Sequence, residues 1–186
     1  VEPVRIIELD IREIAPKALW ANVLLVVIFA AAYHFFAEPL SFSFSWWAVL
    51  FFTAGYAALI VLHELFHLIG FVVFGKTPIS SLDYGFDLDM GIAYATTSRA
   101  IPIKAMKKAL LLPFWMTAAI PAALGFWLES QTLMLLGAML AAGTYGDFHM
   151  YRALLQERND SWVLDDPKLP RLRVYADNPN EKSTGE

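Results

Sequence analysis

Long apolar runs separated by polar connections are the dominant pattern along this chain. Residues 18–37, 46–74, 109–128 and 133–155 are each nearly free of charge. Each meets the length of about 20 residues that a helix needs to cross a hydrocarbon core of about 30 Å. The second run is long enough to tilt or to extend past the bilayer. The connection 75–108 is patterned differently. Tyr84, Phe86 and Leu88 alternate with smaller or polar residues, Asp89-Met90-Gly91 supplies a turn, and Ile92, Tyr94 and Thr96 alternate again. Alternation on both sides of a turn predicts a β-hairpin. The segment 4–14 fits a strand through Ile7, Leu9 and Ile11, and nearly as well a surface helix through Val4, Ile7, Ile11 and Ile14. From Asp177 onward the chain is polar and expected to be disordered. The pattern predicts an all-α integral membrane protein of four transmembrane helices, with a small β-hairpin between the second and third. An N-terminal arm covers 1–17, the membrane core 18–155 and a C-terminal tail 156–186.

Composition supports membrane residence. Of 186 residues, 58% are hydrophobic and 17% charged, against about 45–50% and about 25% in ordinary soluble domains. A chain this short has too much surface for its volume to hide that excess from water. Low charge, absent heptads and zero cysteines exclude a disordered chain, a coiled coil and a disulfide scaffold. A net charge of −4 gives no footprint for nucleic acid. All 14 Lys and Arg fall on one side of a four-span arrangement, because the connections 38–45 and 129–132 carry none. The positive-inside rule makes that side cytoplasmic, with the hairpin and both termini on it, and Trp46, Trp47 and Trp127 at the opposite interface. No basic segment and small-residue cleavage site flank the first run, so no cleaved signal peptide is expected. The sequence begins at Val1 rather than Met, as a trimmed chain would.

Of the 32 charged residues, only Glu64, Asp147 and Arg152 lie inside the four runs. Glu64 belongs to His63-Glu64-Leu65-Phe66-His67. Residues four apart share a helix face, so the two imidazoles converge and can hold one Zn²⁺. Glu64, about 100° around from His63, can reach a metal-bound water and take its proton as general base. An ionised carboxylate near the bilayer centre costs about 2.5–3.5 kcal/mol on insertion scales, and a divalent metal offsets that cost. A catalytic zinc needs a third protein ligand. Asp147 is the only other carboxylate within a run. His149 is the rival ligand. It lies about 200° from Asp147 around a regular helix, so the two cannot face one metal. Gly143 and Gly146 would let the fourth helix approach closely. His34 falls at an interface, Arg152 is near enough to the cytoplasmic end to snorkel, and Pro113 and Pro121 are expected to kink the third helix.

Together these motifs resemble the site-2 protease superfamily of intramembrane zinc metalloproteases, most closely its small prokaryotic zincin peptidase branch. The likeness covers about residues 46–155. It rests on the HExxH segment His63–His67 in a membrane helix and on Gly146-Asp147 two helices later. The resemblance implies that His63, His67 and Asp147 bind zinc and that Glu64 activates the zinc-bound water for peptide-bond hydrolysis. Its implied substrate is a membrane-anchored protein or peptide, aligned by the hairpin segment 82–97. The second motif differs from the usual pattern, with Tyr145-Gly146 before the aspartate and Phe148 after it. Tyr145, His149 and Tyr151 are candidate oxyanion donors. No regulatory domain is expected beyond the core and its short cytoplasmic ends. Two other readings fit the residues, a non-catalytic metal-binding or accessory membrane protein and a small transporter coupled through Glu64 and Asp147. Storage of metal does not require Glu64, and a transporter would be expected to show inverted repeats, which the sequence lacks.

Overall fold

A computed structural model describes residues 2–42, 45–87, 92–166 and 169–181. The described chain is mostly helical, with two small sheets. Three helical stretches are long and apolar enough to cross a membrane: Ile11–Phe36, Trp46–Val73 and Ile103–Trp127. The first two are α1 and α2. The third comprises α3 (Ile103–Pro113), a π-helical turn (Phe114–Ala119) and α4 (Ile120–Trp127). The expected fourth span is not one helix. It divides into α5 (Gln131–Gly143) and α6 (Tyr145–Leu154), with Thr144 between them at φ −76 and ψ 7. The Thr144 hydroxyl donates to the Ala141 carbonyl at 2.6 Å, satisfying one acceptor at the end of α5.

The chain divides into two compact units. The first, helical unit comprises Arg12–His63 and Pro113–Tyr145. Its interior combines small residues with Tyr33, Met134, Leu136 and Leu140. Ala118, Ala122, Ala138 and Ala142 are buried, whereas Trp20, Leu24, Phe51 and Val61 are exposed. A Cβ on Gly125 would stand 2.3 Å from the Met134 nitrogen, and one on Gly137 would stand 2.5 Å from the Ala122 nitrogen. The backbones of α4 and α5 therefore touch, as small residues permit in helix pairs without a water-driven core. Gly143 meets nothing within 4 Å, so the close approach expected there occurs instead at Gly125 and Gly137. Glu129, in the left-handed region at φ 53, ends α4, and the Ser130 side chain accepts from the Leu133 N–H to start α5. His34 is exposed and accepts from the Leu40 N–H at 3.1 Å, closing the end of α1.

The second unit comprises Val1–Ile11, Glu64–Leu112 and Gly146–Glu186. It carries both sheets. In the larger, β1 (Arg5–Glu8), β6 (Arg171–Tyr175), β5 (Trp162–Asp165) and β4 (Ile101–Pro102) lie in that order, all antiparallel. The N-terminal segment is thus a strand before the helix starts at Ile11, with Ile7 opposite Leu172. The tail 156–186 contains β5 and β6, and order continues beyond Asp177. Asn180 donates to the Ala100 carbonyl at 2.8 Å and accepts from its N–H at 3.1 Å. The smaller sheet pairs β2 (Leu82–Asp87) with β3 (Ile92–Thr97). The expected turn Asp89-Met90-Gly91 lies outside the described residues. Ile7, Phe71, Ile101, Met106, Leu154, Val163 and Val174 share one core. Here α2 and α3 also approach closely, since a Cβ on Gly70 would stand 2.8 Å from Ala109 Cα.

Candidate metal centre

His63, Glu64 and His67 all lie on α2, which continues without interruption through the HExxH segment. His63 is the last residue of the helical unit there and Glu64 the first of the sheet-bearing one. One turn of continuous helix therefore sets the spacing of the two imidazoles. Both are buried although their neighbours Leu62 and Leu65 are exposed. Asp147 stands in the first turn of α6. That placement follows from the break at Thr144, which makes position 147 a helix N-terminus, where a carboxylate is favoured by the unpaired amides.

His67 Nε2 lies 3.3 Å from Asp147 Oδ1. Donors about 2.0–2.1 Å from a tetrahedral zinc stand about 3.3–3.4 Å from one another, so this pair already has the spacing of one edge of such a site. The other ring nitrogen, Nδ1, is 3.2 Å from the Ala109 carbonyl. A carbonyl can only accept, so Nδ1 donates to it, which leaves Nε2 as the nitrogen that a metal would take. The Gly70–Ala109 approach brings that carbonyl within reach, because Gly70 is three residues beyond His67 on the same helix face. His63, His67 and Asp147 each offer one ligand atom, and these atoms lie within 4.8 Å of one another. Two imidazole nitrogens and one carboxylate oxygen are a donor set that suits zinc and leaves a fourth position for water or substrate. His149 is exposed and stands outside this group.

Glu64, His67 and Asp147 line a cavity of about 600 Å³ in the sheet-bearing unit. Its wall includes four consecutive residues of β3, Ala93 to Thr96, together with Phe86, Asp165 and Asp166. Tyr145, His149 and Tyr151, the expected oxyanion donors, do not line it. Asp166 is held by Arg171 Nε at 2.8 Å and Arg173 Nη2 at 2.6 Å. Asp165 lines the cavity and is half-buried. Burial pushes its carboxyl up to about 7, and the nearby Thr96 hydroxyl and His67 offset only part of that rise. Composition and spacing had not singled out Asp165, Ala109 or Thr117. The last, whose hydroxyl oxygen lies 3.4 Å from His63 Nδ1, carried a signal only in its place midway between Pro113 and Pro121.

A family model described as "Putative zincin peptidase" matches residues 56–162. The chain belongs to that zincin peptidase family. No curated protein and no solved structure matches it. The family segment runs from within α2 to the first residue of β5, so it contains the HExxH segment, the hairpin and Asp147. The family's description names a zinc-type peptidase, and the three-donor group fits that metal.

Proposed function

We propose that this zincin-family protein is a membrane-embedded zinc endopeptidase of the site-2 protease type, cleaving peptide bonds in or near the bilayer. The observation that carries the reading is the HExxH helix with His67 Nε2 at 3.3 Å from Asp147 Oδ1. His63, His67 and Asp147 are the proposed ligands. Bound zinc supplies Lewis-acid polarisation of the scissile carbonyl and of water. Glu64, on the cavity wall beside the ligands and outside the donor group, takes a proton from the attacking water. The water oxygen bonds to the carbonyl carbon, the C–N bond breaks, and Glu64 returns the proton to the departing amine.

The proposed substrate is a membrane-anchored protein or peptide. A helical substrate must unwind first, because its amides are engaged in intrahelical bonds. The cavity offers a place for the unwound segment. β3 pairs only with β2 among the described residues, and its residues 93–96 border the cavity beside Glu64. An extended peptide added along that edge gains main-chain hydrogen bonds and is drawn past the general base. In this reading the broken α5–α6 segment completes a fourth crossing, with the hairpin and both termini cytoplasmic, since every Lys and Arg then lies on one side.

The test is cleavage of a membrane-anchored reporter by detergent-purified protein. Cleavage should stop with a chelator and return with zinc. Glu64→Gln should retain the metal and lower the rate by about 10²- to 10⁴-fold. Undiminished cleavage by Glu64→Gln, or in excess chelator, would sink the proposal.

A further inference from the structure

We infer that Thr117 is a positioning residue for His63, holding the imidazole with Nδ1 as donor so that Nε2 is its metal-ligating nitrogen. The inference rests on the metal centre proposed above. Thr117 lies in the π-helical turn Phe114–Ala119, where the Ile120 N–H bonds to the Trp115 carbonyl five residues back. The sequence explains the turn. Pro121 has no N–H to continue an α-helical ladder, and a single wide turn shifts the hydrogen-bond register around it. The helix is thereby locally widened beside α2.

The Thr117 side chain is fully buried, and its two contacts fix its polarity. Its hydroxyl donates to the Pro113 carbonyl at 2.8 Å. A hydroxyl has one hydrogen, so toward His63 Nδ1, at 3.4 Å, the oxygen is left to accept. That bond is at the long end of the range, and its direction follows from the shorter bond that holds the hydroxyl hydrogen on the Pro113 carbonyl. His63 Nδ1 carries the hydrogen and Nε2 keeps the lone pair. The arrangement repeats at His67, where the acceptor for Nδ1 is the Ala109 carbonyl. Each imidazole is therefore oriented by an oxygen on the stretch Ile103–Trp127, one from backbone and one from a side chain. Only the side-chain partner can be removed by substitution. Such outer partners set ring orientation and tautomer, and losing one costs metal affinity by about 10- to 100-fold.

The experiment compares zinc affinity of the full-length parent, Thr117→Val and Thr117→Ser in detergent, by competition with a chromogenic chelator. Ring ¹⁵N shifts of His63 are recorded in the metal-free parent. Thr117→Val should weaken zinc binding by about 10- to 100-fold, and Thr117→Ser, which keeps the acceptor, should restore it to within about threefold of the parent. The parent ring should show a protonated Nδ1 and an unprotonated Nε2. Zinc binding by Thr117→Val within about threefold of the parent overturns the inference while leaving the metal centre standing. Should the valine variant fail to fold, the parent spectrum decides, and a protonated Nε2 overturns the inference. No zinc bound by the parent overturns both the proposed centre and this role.

Discussion

The two units of this chain differ in the large apolar side chains they leave exposed more than in those they bury, since Tyr33, Met134, Leu136 and Leu140 are buried in the helical unit. The helical unit hides Ala118, Ala122, Ala138 and Thr117 and leaves Trp20, Phe51 and Val61 exposed, with Trp20 at 73%. The sheet-bearing unit hides Ile101, Ile103, Met106, Leu154 and Val163, each at 1% or less. Three helical stretches long and apolar enough to cross a membrane fit that exposure. In lipid, apolar side chains gain nothing by leaving the surroundings, so helices associate where small residues let backbones touch. In water, removal of large apolar side chains is the driving force. Open sheet edges are not tolerated in the hydrocarbon, and the strands of both sheets lie outside the three long apolar helical stretches.

Substitutions that treat the two units differently sharpen the contrast. The largest effect is expected from Gly137→Leu. A Cβ there already stands 2.5 Å from the Ala122 nitrogen and 2.7 Å from the Ala118 oxygen, so the backbones of α4 and α5 must separate. Loss of a monodisperse species on size-exclusion in detergent is the expected outcome, and normal elution would break the small-residue account. Smaller but clear is Ile101→Ala, which empties a fully buried position in the sheet-bearing unit and should cost about 2–5 kcal/mol of unfolding free energy. The smallest change is expected for Val61→Ala, a similar truncation of a side chain that is 67% exposed in the helical unit. It should fall within about 0.5 kcal/mol of the parent. Equal losses for Ile101→Ala and Val61→Ala in thermal unfolding would erase the distinction between the units.

Much of the helical architecture was legible because its signal is local. The apolar run 46–74 nearly coincides with α2, Trp46–Val73, and the HExxH spacing needs only helix periodicity to be read. Two helices begin earlier than their apolar runs. α1 starts at Ile11 through Arg12 and Glu13, and α3 starts at Ile103 through Lys104, Lys107 and Lys108. Charged side chains are good helix formers, so hydropathy marks the apolar stretch rather than the helix. The break at Thr144 was hidden, because residues 133–155 carry no proline to mark it. Its consequence is that Asp147 stands in the first turn of a helix, among unpaired amides. The larger sheet was hidden for a different reason. β1 and β6 are at opposite ends of the chain, and β6 alternates Leu172 and Val174 with Arg171 and Arg173 in a segment whose overall polarity suggested a tail. Short strands acquire meaning only from distant partners. Thr117 depends on a π-turn that no local pattern announces.

The metal content of the purified protein tests the central claim most directly. Elemental analysis of detergent-purified parent, His67→Ala and Asp147→Ala should find about one zinc per chain in the parent. Both variants, still folded by circular dichroism, should have lost it. A parent without zinc, or an Asp147→Ala variant that keeps a full complement, would contradict the assignment of His63, His67 and Asp147 as its ligands.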